Sequence, residues 1–282
     1  MPSTRNQIYV IAEAGINHNG DINTAKKLID LAARTGCDAV KFQKRDPDVC
    51  VPDSMKPVMR ETPWGNITYL DYKKRIEFGQ SEYQEIARYC NEKGIDWSAS
   101  AWDIGSLEFL DEFNLPFHKV ASALATHLEF VEQVAKRGKL TYASVGMCTY
   151  DDIDRLVQVF KKNDCPFVLL HTVSTYPAQE SDLNLRMIGT LSERYGVGVG
   201  YSGHEPSVSP SIMAGVLGAV AIERHITLDR SMWGTDHSAS LEEAGLSQLV
   251  STLRKIPTVL GDGVKKSIPA EEAIASKMRY WI

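Results

Sequence analysis

A chain of 282 residues is long for one ordinary domain and close to the usual length of an eight-stranded α/β barrel. Its 31 Lys and Arg against 36 Asp and Glu give a formal charge of −5, which argues against nucleic acid as a partner. The five cysteines (Cys37, Cys50, Cys90, Cys148, Cys165) show no metal-ribbon spacing. The N-terminus carries no apolar leader and no stretch is long enough to span a bilayer, so the expectation is a reduced, cytoplasmic protein without membrane contact.

In chain order, short apolar runs alternate with amphipathic helices. The strand candidates are 8–12, 39–42, 95–98, 117–121, 140–144, 167–171, 197–202 and 219–222. After Asp21, the residues Ala25, Leu28, Ile29 and Ala32 share one helical face that stops at Gly36. Residues 45–72 break the pattern of short connections. With Pro47, Pro52, Pro57 and Pro63 and a Trp64-Gly65 pair, they read as an ordered excursion, either a lid over the barrel mouth or a surface insertion. Ser81-Glu-Tyr-Gln84 has capping-box spacing ahead of Tyr83, Ile86, Ala87 and Cys90, and Ser240-Leu-Glu-Glu243 repeats it ahead of Leu246, Leu249, Val250 and Leu253. Thr149 precedes a helical stripe of Ile153, Leu156, Val157 and Phe160. Eight strands alternating with helices predict a single-domain α/β fold over residues 1–282, a (β/α)8 TIM barrel. An open doubly wound sheet is the competitor, but no G-x-G-x-x-G follows the first strand.

Polar residues gather where these strands end, the face on which barrels carry active sites. His204 and His225 close the last two strands, which are neighbours in a barrel. Either each is an ordinary hydrogen-bonded histidine, or the two imidazoles converge on a divalent first-row ion and leave positions open for water and substrate. Lys41 and Lys119 inside apolar strands are costly unless something anionic meets them. They could pair with Glu13 and Glu223, cradle a phosphate or carboxylate among serine hydroxyls, or serve as a Schiff-base nucleophile. Asn17 and His18 bind substrate or shape a turn, and His237 beside Asp236 is an acid–base group or a loop residue.

Seven motifs, in order, carry a more specific resemblance: Ile11-Ala-Glu-Ala-Gly-Ile-Asn-His-Asn-Gly20, Val40-Lys-Phe-Gln43, His118-Lys-Val-Ala-Ser122, Leu170-His171 with Tyr176-Pro177, Gly200-Tyr-Ser-Gly-His204, Ile222-Glu-Arg-His-Ile-Thr-Leu-Asp229, and Asp236-His-Ser-Ala-Ser240. Together with Gly261-Asp-Gly-Val-Lys-Lys266 they resemble the sialic acid synthase family along essentially the whole chain. The resemblance implies a phosphoenolpyruvate-dependent barrel that condenses the enolpyruvate with an aldose, N-acetylmannosamine or a related hexose derivative. The products would be a 2-keto-3-deoxy sugar acid and phosphate. It also implies a divalent ion, typically Mn2+, on His204 and His225. Lys41, Lys119, Ser122, Ser144 and Ser202, with Ser100 where the family usually has Thr, would surround phosphoenolpyruvate. Gln43, Tyr176 and Asp236 would face the sugar, and Glu13 and Glu223 match carboxylates near the reacting centre. A homodimer is implied as well.

Some positions depart from the family pattern. Leu124 stands where a sugar-contacting Glu is frequent, Gly203 replaces an Asp, and Ser174 replaces an Asn. The chain ends at Ile282, before the small antifreeze-like C-terminal domain of most members, so the sugar contact made by that domain's Arg in the partner subunit is expected to be missing. The rival functions are a metal-dependent or Schiff-base pyruvate aldolase, a non-catalytic phosphoenolpyruvate- or sugar-binding barrel, and an octulosonate- or heptulosonate-phosphate synthase.

Overall fold

The computed structural model describes residues 7–281. Ten strands form: β1 Tyr9–Gly15, β2 Ala39–Lys44, β3 Met59–Thr62, β4 Gly65–Thr68, β5 Asp96–Ala101, β6 His118–Val120, β7 Thr141–Ser144, β8 Phe167–Thr172, β9 Val199–Gly203 and β10 Ala221–His225. Eight of them close a barrel in the order β1, β2, β5, β6, β7, β8, β9, β10 and back to β1, every neighbour parallel. The eight sequence runs are these eight strands. The expected single-domain TIM barrel is the observed fold.

Two apolar layers hold the barrel. Alternation along each strand sends one set of side chains into the lumen and the next outward against the helices. Ile11, Ala39, Phe117, Tyr142, Val168, Leu170 and Ala221 plug the lower lumen. Outward residues such as Val10, Ala12, Val40, Leu169 and Ile222 pack under the helices. Each fully buried Ile, Leu, Val or Phe in these layers contributes roughly 1.5–3 kcal/mol by leaving water. The apolar plug confines the polar side chains of the lumen to the level above it.

The helices are α1 Ile22–Arg34, α2 Pro47–Cys50, α3 Tyr69–Ile76, α4 Gln80–Lys93, α5 Ile104–Asp111, α6 Leu128–Ala135, α7 Tyr150–Lys162, α8 Met187–Tyr195, α9 Ser209–Val216, α10 Glu243–Leu260 and α11 Pro269–Met278, of which α2 and α3 lie in the excursion and α11 buries no residue. Asp21 caps α1 by accepting from the Asn23 and Thr24 amides, and Gly36 follows its end at φ +81°. Thr149 and Asp152 form the capping box of α7. Two expected caps are corrected. At α4 the cap is Gly79, whose amide donates to Glu82 at 3.0 Å, and Ser81 already lies inside the helix. Before α10 the Ser240 hydroxyl donates instead to the Asp236 carbonyl (2.6 Å) and accepts from Asn17 (2.9 Å), so it ties two mouth loops together rather than starting a helix.

The excursion after β2 folds as α2, the antiparallel β3–β4 hairpin and α3. Its apolar side docks Ile16, Tyr72 and Ile76 against Trp64, Ile67, Tyr69 and Trp233. Trp64 meets Trp233 edge-on at 5.8 Å, and Asn19 donates to the Trp233 carbonyl at 2.8 Å. The excursion therefore stands beside the mouth, against the loops that follow β1 and β10. Among the described residues no helix is long and apolar enough to cross a membrane.

Candidate active site

Strand register assembles the site. Glu13 on β1 lies opposite both Lys41 on β2 and His225 on β10. Gln43 opposes Ser100, Ser100 opposes Lys119, and Ser202 opposes Glu223. These side chains meet above the apolar plug around a cavity of about 190 Å³, whose lining includes Glu13, Lys41, Gln43, Ser100, Lys119, Ser122, Ser144, Tyr176, Ser202, His204, Glu223 and His225. Of the thirteen residues that the resemblance assigns to the site only Asp236 is outside that lining, and so are Asn17, His18 and His237, the other candidates. Asp236 sits behind His225, with its carboxylate 3.9 Å from Nδ1.

The two buried lysines differ in their company. Lys41 pairs directly with Glu13, has Glu223 at 3.7 Å, and donates to Ser100 at 3.0 Å. Burial disfavours its charge, but the two carboxylates win and hold its pKa above the ordinary lysine value. Lys119 has one carboxylate within reach, Glu223 at 3.7 Å, and otherwise donates to the Ser144 hydroxyl (2.8 Å) and the Val120 carbonyl (3.2 Å). Here burial dominates and lowers the pKa to about 8. Glu223 is pushed up by burial but held at about 2 by Lys119 and Lys41, and it accepts from Ser202 at 3.0 Å. The expected pairing of lysines with Glu13 and Glu223 is thus present for both, tightly for Lys41 through Glu13 and loosely for Lys119, which shares Glu223 with Lys41 and keeps capacity for a further anion.

The imidazoles face one another, with ring centres 5.6 Å apart. His204 donates from Nδ1 to the Val173 carbonyl at 2.7 Å, which leaves the lone pair on Nε2. Burial and the neighbouring His225 drop its pKa to about 3, so the ring is neutral at physiological pH. Both His225 Nδ1 and Glu223 Oε2 are buried without a hydrogen-bond partner. Such a donor set suits a divalent cation completed by water and substrate. Among the described residues no three His, Cys, Asp or Glu side chains gather as a self-sufficient cage. The Tyr176 ring lies 4.0 Å from His204 and 5.8 Å from His225 and forms the outer wall.

Asn17 and His18 shape the turn. Asn17 donates to the Ile226 carbonyl and to Ser240, and His18 stacks on Phe78 at 3.9 Å while its Nδ1 accepts from the Gly20 amide. His237 hydrogen-bonds the Thr227 hydroxyl at 2.7 Å and is buried. Sequence reasoning passed over Trp102, Met147 and Thr172, which also line the cavity from strand ends or the loops after them, as does Ser174, noted only as a departure from the family pattern. It also passed over a fully buried ion pair outside the wall. Arg224, which faces away from the lumen between Glu223 and His225, donates to Glu205 (3.0 Å), to Ser211 (2.9 Å) and to the Ser207 carbonyl (2.9 Å). This pair explains Gly203, where a Cβ would stand 2.7 Å from both the Glu205 carboxylate and the Tyr201 ring.

Residues 28–265 match the model of the NeuB family. The chain belongs to that family. Human N-acetylneuraminate-9-phosphate synthase is 38% identical over 96% of this chain and 76% of its own length. The N,N'-diacetyllegionaminic acid synthase of Campylobacter jejuni is 35% identical over 93% of this chain and 80% of its own. Among solved structures, the N-acetylneuraminic acid (sialic acid) synthetase of Leptospira borgpetersenii, crystallised with citrate, superposes with a TM-score of 0.86. It is 32% identical, and the match covers 98% of this chain and 93% of that one. The relatives matched by this NeuB-family barrel are thus sugar-acid synthases.

Proposed function

We propose that this chain condenses phosphoenolpyruvate with an aldose of the N-acetylmannosamine type, giving a 2-keto-3-deoxy sugar acid (a nonulosonate) and phosphate. The observation that carries the reading is Lys119, a buried ammonium whose one carboxylate, Glu223 at 3.7 Å, is shared with Lys41 at the same distance. It faces a cavity ringed by Ser100, Ser122, Ser144 and Ser202, beside the two imidazoles. An anionic three-carbon donor would supply the charge that Lys119 lacks.

In this reading each residue has a role. Lys41, Lys119 and the serine hydroxyls orient the donor's phosphate and carboxylate so that its C3 faces the aldehyde carbon. Gln43, Tyr176 and Asp236 hold the acceptor. A divalent ion, Mn2+ in this reading, would be held by His204 and His225 and supplies Lewis acidity toward the aldehyde oxygen. As C3 attacks and the carbon–carbon bond forms, positive charge develops at C2, and Glu13 and Glu223 stabilise it. Glu13 accepts a proton from the water that adds at C2. The resulting tetrahedral adduct then collapses by breaking its C–O bond to phosphate, whose charge Lys119 meets. Water, donor and aldose balance the keto acid and phosphate.

A screen of phosphate release from phosphoenolpyruvate with Mn2+ and a panel of hexosamines, diamino-hexoses and neutral aldoses tests the reading. One active aldose is the expected result. Borohydride trapping of a pyruvate adduct on Lys41 or Lys119, without phosphate release, would point to the aldolase instead. A cytoplasmic homodimer fits this reading. The matched relatives differ in one respect, since one is named for a phosphorylated product and another is not. The far end of the acceptor is therefore decided by this chain's own residues.

A further inference from the structure

Beside the mouth, on the excursion side, three cationic side chains act on one another with no carboxylate in contact with any of them. Among the described residues Arg45, Arg60 and Lys73 have no carboxylate oxygen within salt-bridge range; of the nearby acids Glu77 is taken by Lys44 at 3.0 Å, and Asp236, 3.9 Å from His225 Nδ1, acts on Lys73 only from a distance. The Arg60 guanidinium lies 4.9 Å from the centre of the Tyr72 ring and 5.1 Å from that of Trp233, and the Lys73 ammonium lies 5.2 Å from the Tyr72 ring. Arg45 lies over Trp102 at 4.3 Å and donates to the side-chain amide oxygen of Gln43. Lys73 is 9% exposed and Tyr72 is 1% exposed. Three donors in the group are buried with no partner: Arg45 Nε, the Tyr72 hydroxyl and the Trp102 indole N–H.

Clustered like charges and orphaned donors both cost free energy, and a single multiply charged oxyanion relieves both. Burial foremost, with Arg45 adding to it, lowers the Lys73 pKa to about 8. The position of the group relates it to the catalytic cavity. Gln43 lines that cavity and donates to Glu13 at 3.0 Å, while its other amide atom holds Arg45, so the cluster begins one side chain outward from the reacting centre. Asp236 acts on Lys73 and Tyr72 from the side of His225. An aldose with its aldehyde at the imidazoles would pass over Gln43 and bring its far end to this group.

We propose that Arg45, Arg60 and Lys73, with the Tyr72 hydroxyl and the Trp102 N–H, form a second anion site that receives the phosphate ester at the far end of a phosphorylated aldose. This rests on the synthase reading for the identity of the reaction, and it makes the acceptor a hexosamine 6-phosphate rather than the free sugar.

The test compares N-acetylmannosamine with its 6-phosphate. With phosphoenolpyruvate and Mn2+, kcat/KM for the phosphate should exceed that for the parent sugar by about a hundredfold or more. Lys73→Met and Arg60→Gln should each reduce that ratio at least about tenfold, chiefly through KM. Arg60 is only half-buried, so its variant carries the test if Lys73→Met does not fold. Equal kcat/KM for the two sugars, or a ratio unmoved in the folded variants, overturns the site. If neither sugar turns over, the synthase reading fails and calorimetry decides the site on its own. Tighter binding of the 6-phosphate, by about tenfold or more and lost in the variants, sustains it, and equal affinities overturn it.

Discussion

The sharpest test of the site separates its two lysines by converting each to Met, which conserves volume and removes charge. Lys41 has Glu13 in direct contact and Glu223 at 3.7 Å, so Lys41→Met leaves two buried carboxylates around a missing cation. Breaking a buried pair in this way costs about 3–5 kcal/mol. At roughly 2–4 °C per kcal/mol for a chain of this size, the melting temperature should fall by about 6–20 °C. Lys119→Met removes a cation whose only carboxylate stands 3.7 Å away and is still served by Lys41 and Ser202. Its stability cost should be the smaller of the two. Donor binding should suffer instead, because a charge-assisted contact is worth about 1.5–3 kcal/mol, which is about a tenfold to hundredfold rise in Kd. Thermal melts and calorimetric titration with phosphoenolpyruvate measure both quantities on the same two proteins. If Lys119→Met binds phosphoenolpyruvate within twofold of wild type while folded, the assignment of Lys119 as the free cation is wrong.

Three further outcomes follow from the geometry. Affinity for phosphoenolpyruvate should decline about tenfold per pH unit above pH 8, because Lys119 is protonated below that value and neutral above it. The unfolded lysine keeps its proton to about 10.5, so between pH 8 and 10.5 the same group makes the fold more stable as pH rises; a titration in which affinity and stability move together contradicts the assignment. His225→Ala should abolish Mn2+-dependent phosphate release and weaken Mn2+ binding while leaving the melting temperature within a few degrees, and unchanged release refutes the cation assignment. Gly203→Ala should destabilise the protein by about 1–3 kcal/mol in denaturant titration, since its Cβ would press on Glu205 and Tyr201; a neutral result means that wall yields.

The barrel was legible because its strands are apolar runs with turn residues between them, and because eight such runs close a lumen. Their C-terminal ends were misjudged for a physical reason. β1 continues through Glu13 to Gly15, β2 through Lys41 to Lys44, and β5 through Ser98 to Ala101. Backbone pairing persists there while the side chains turn polar, since they enter the upper lumen above the plug. The same polarity made the site legible, for a charge set within an apolar strand is costly unless a partner or a ligand meets it. The capping pattern at Ser81 misled because spacing does not reveal which residue leaves the helical conformation, and glycine served at 79 without any side chain. Arg224 drew no reading of its own within its motif, and alternation turns it outward into a sealed network with Glu205. The group around Arg45 and Lys73 joins residues from separate segments. Only the basic run Lys73-Lys74-Arg75, next to a lone Tyr72, hinted at it.

That sealed network also bears on how the two imidazoles are held. Glu205 is joined through the backbone to His204, and Arg224 to His225, so a buried ion pair braces the two backbone positions that carry the rings. Shifting either ring's backbone would therefore strain a fully buried ion pair, whose loss costs about 3–5 kcal/mol, although neither Glu205 nor Arg224 lines the cavity.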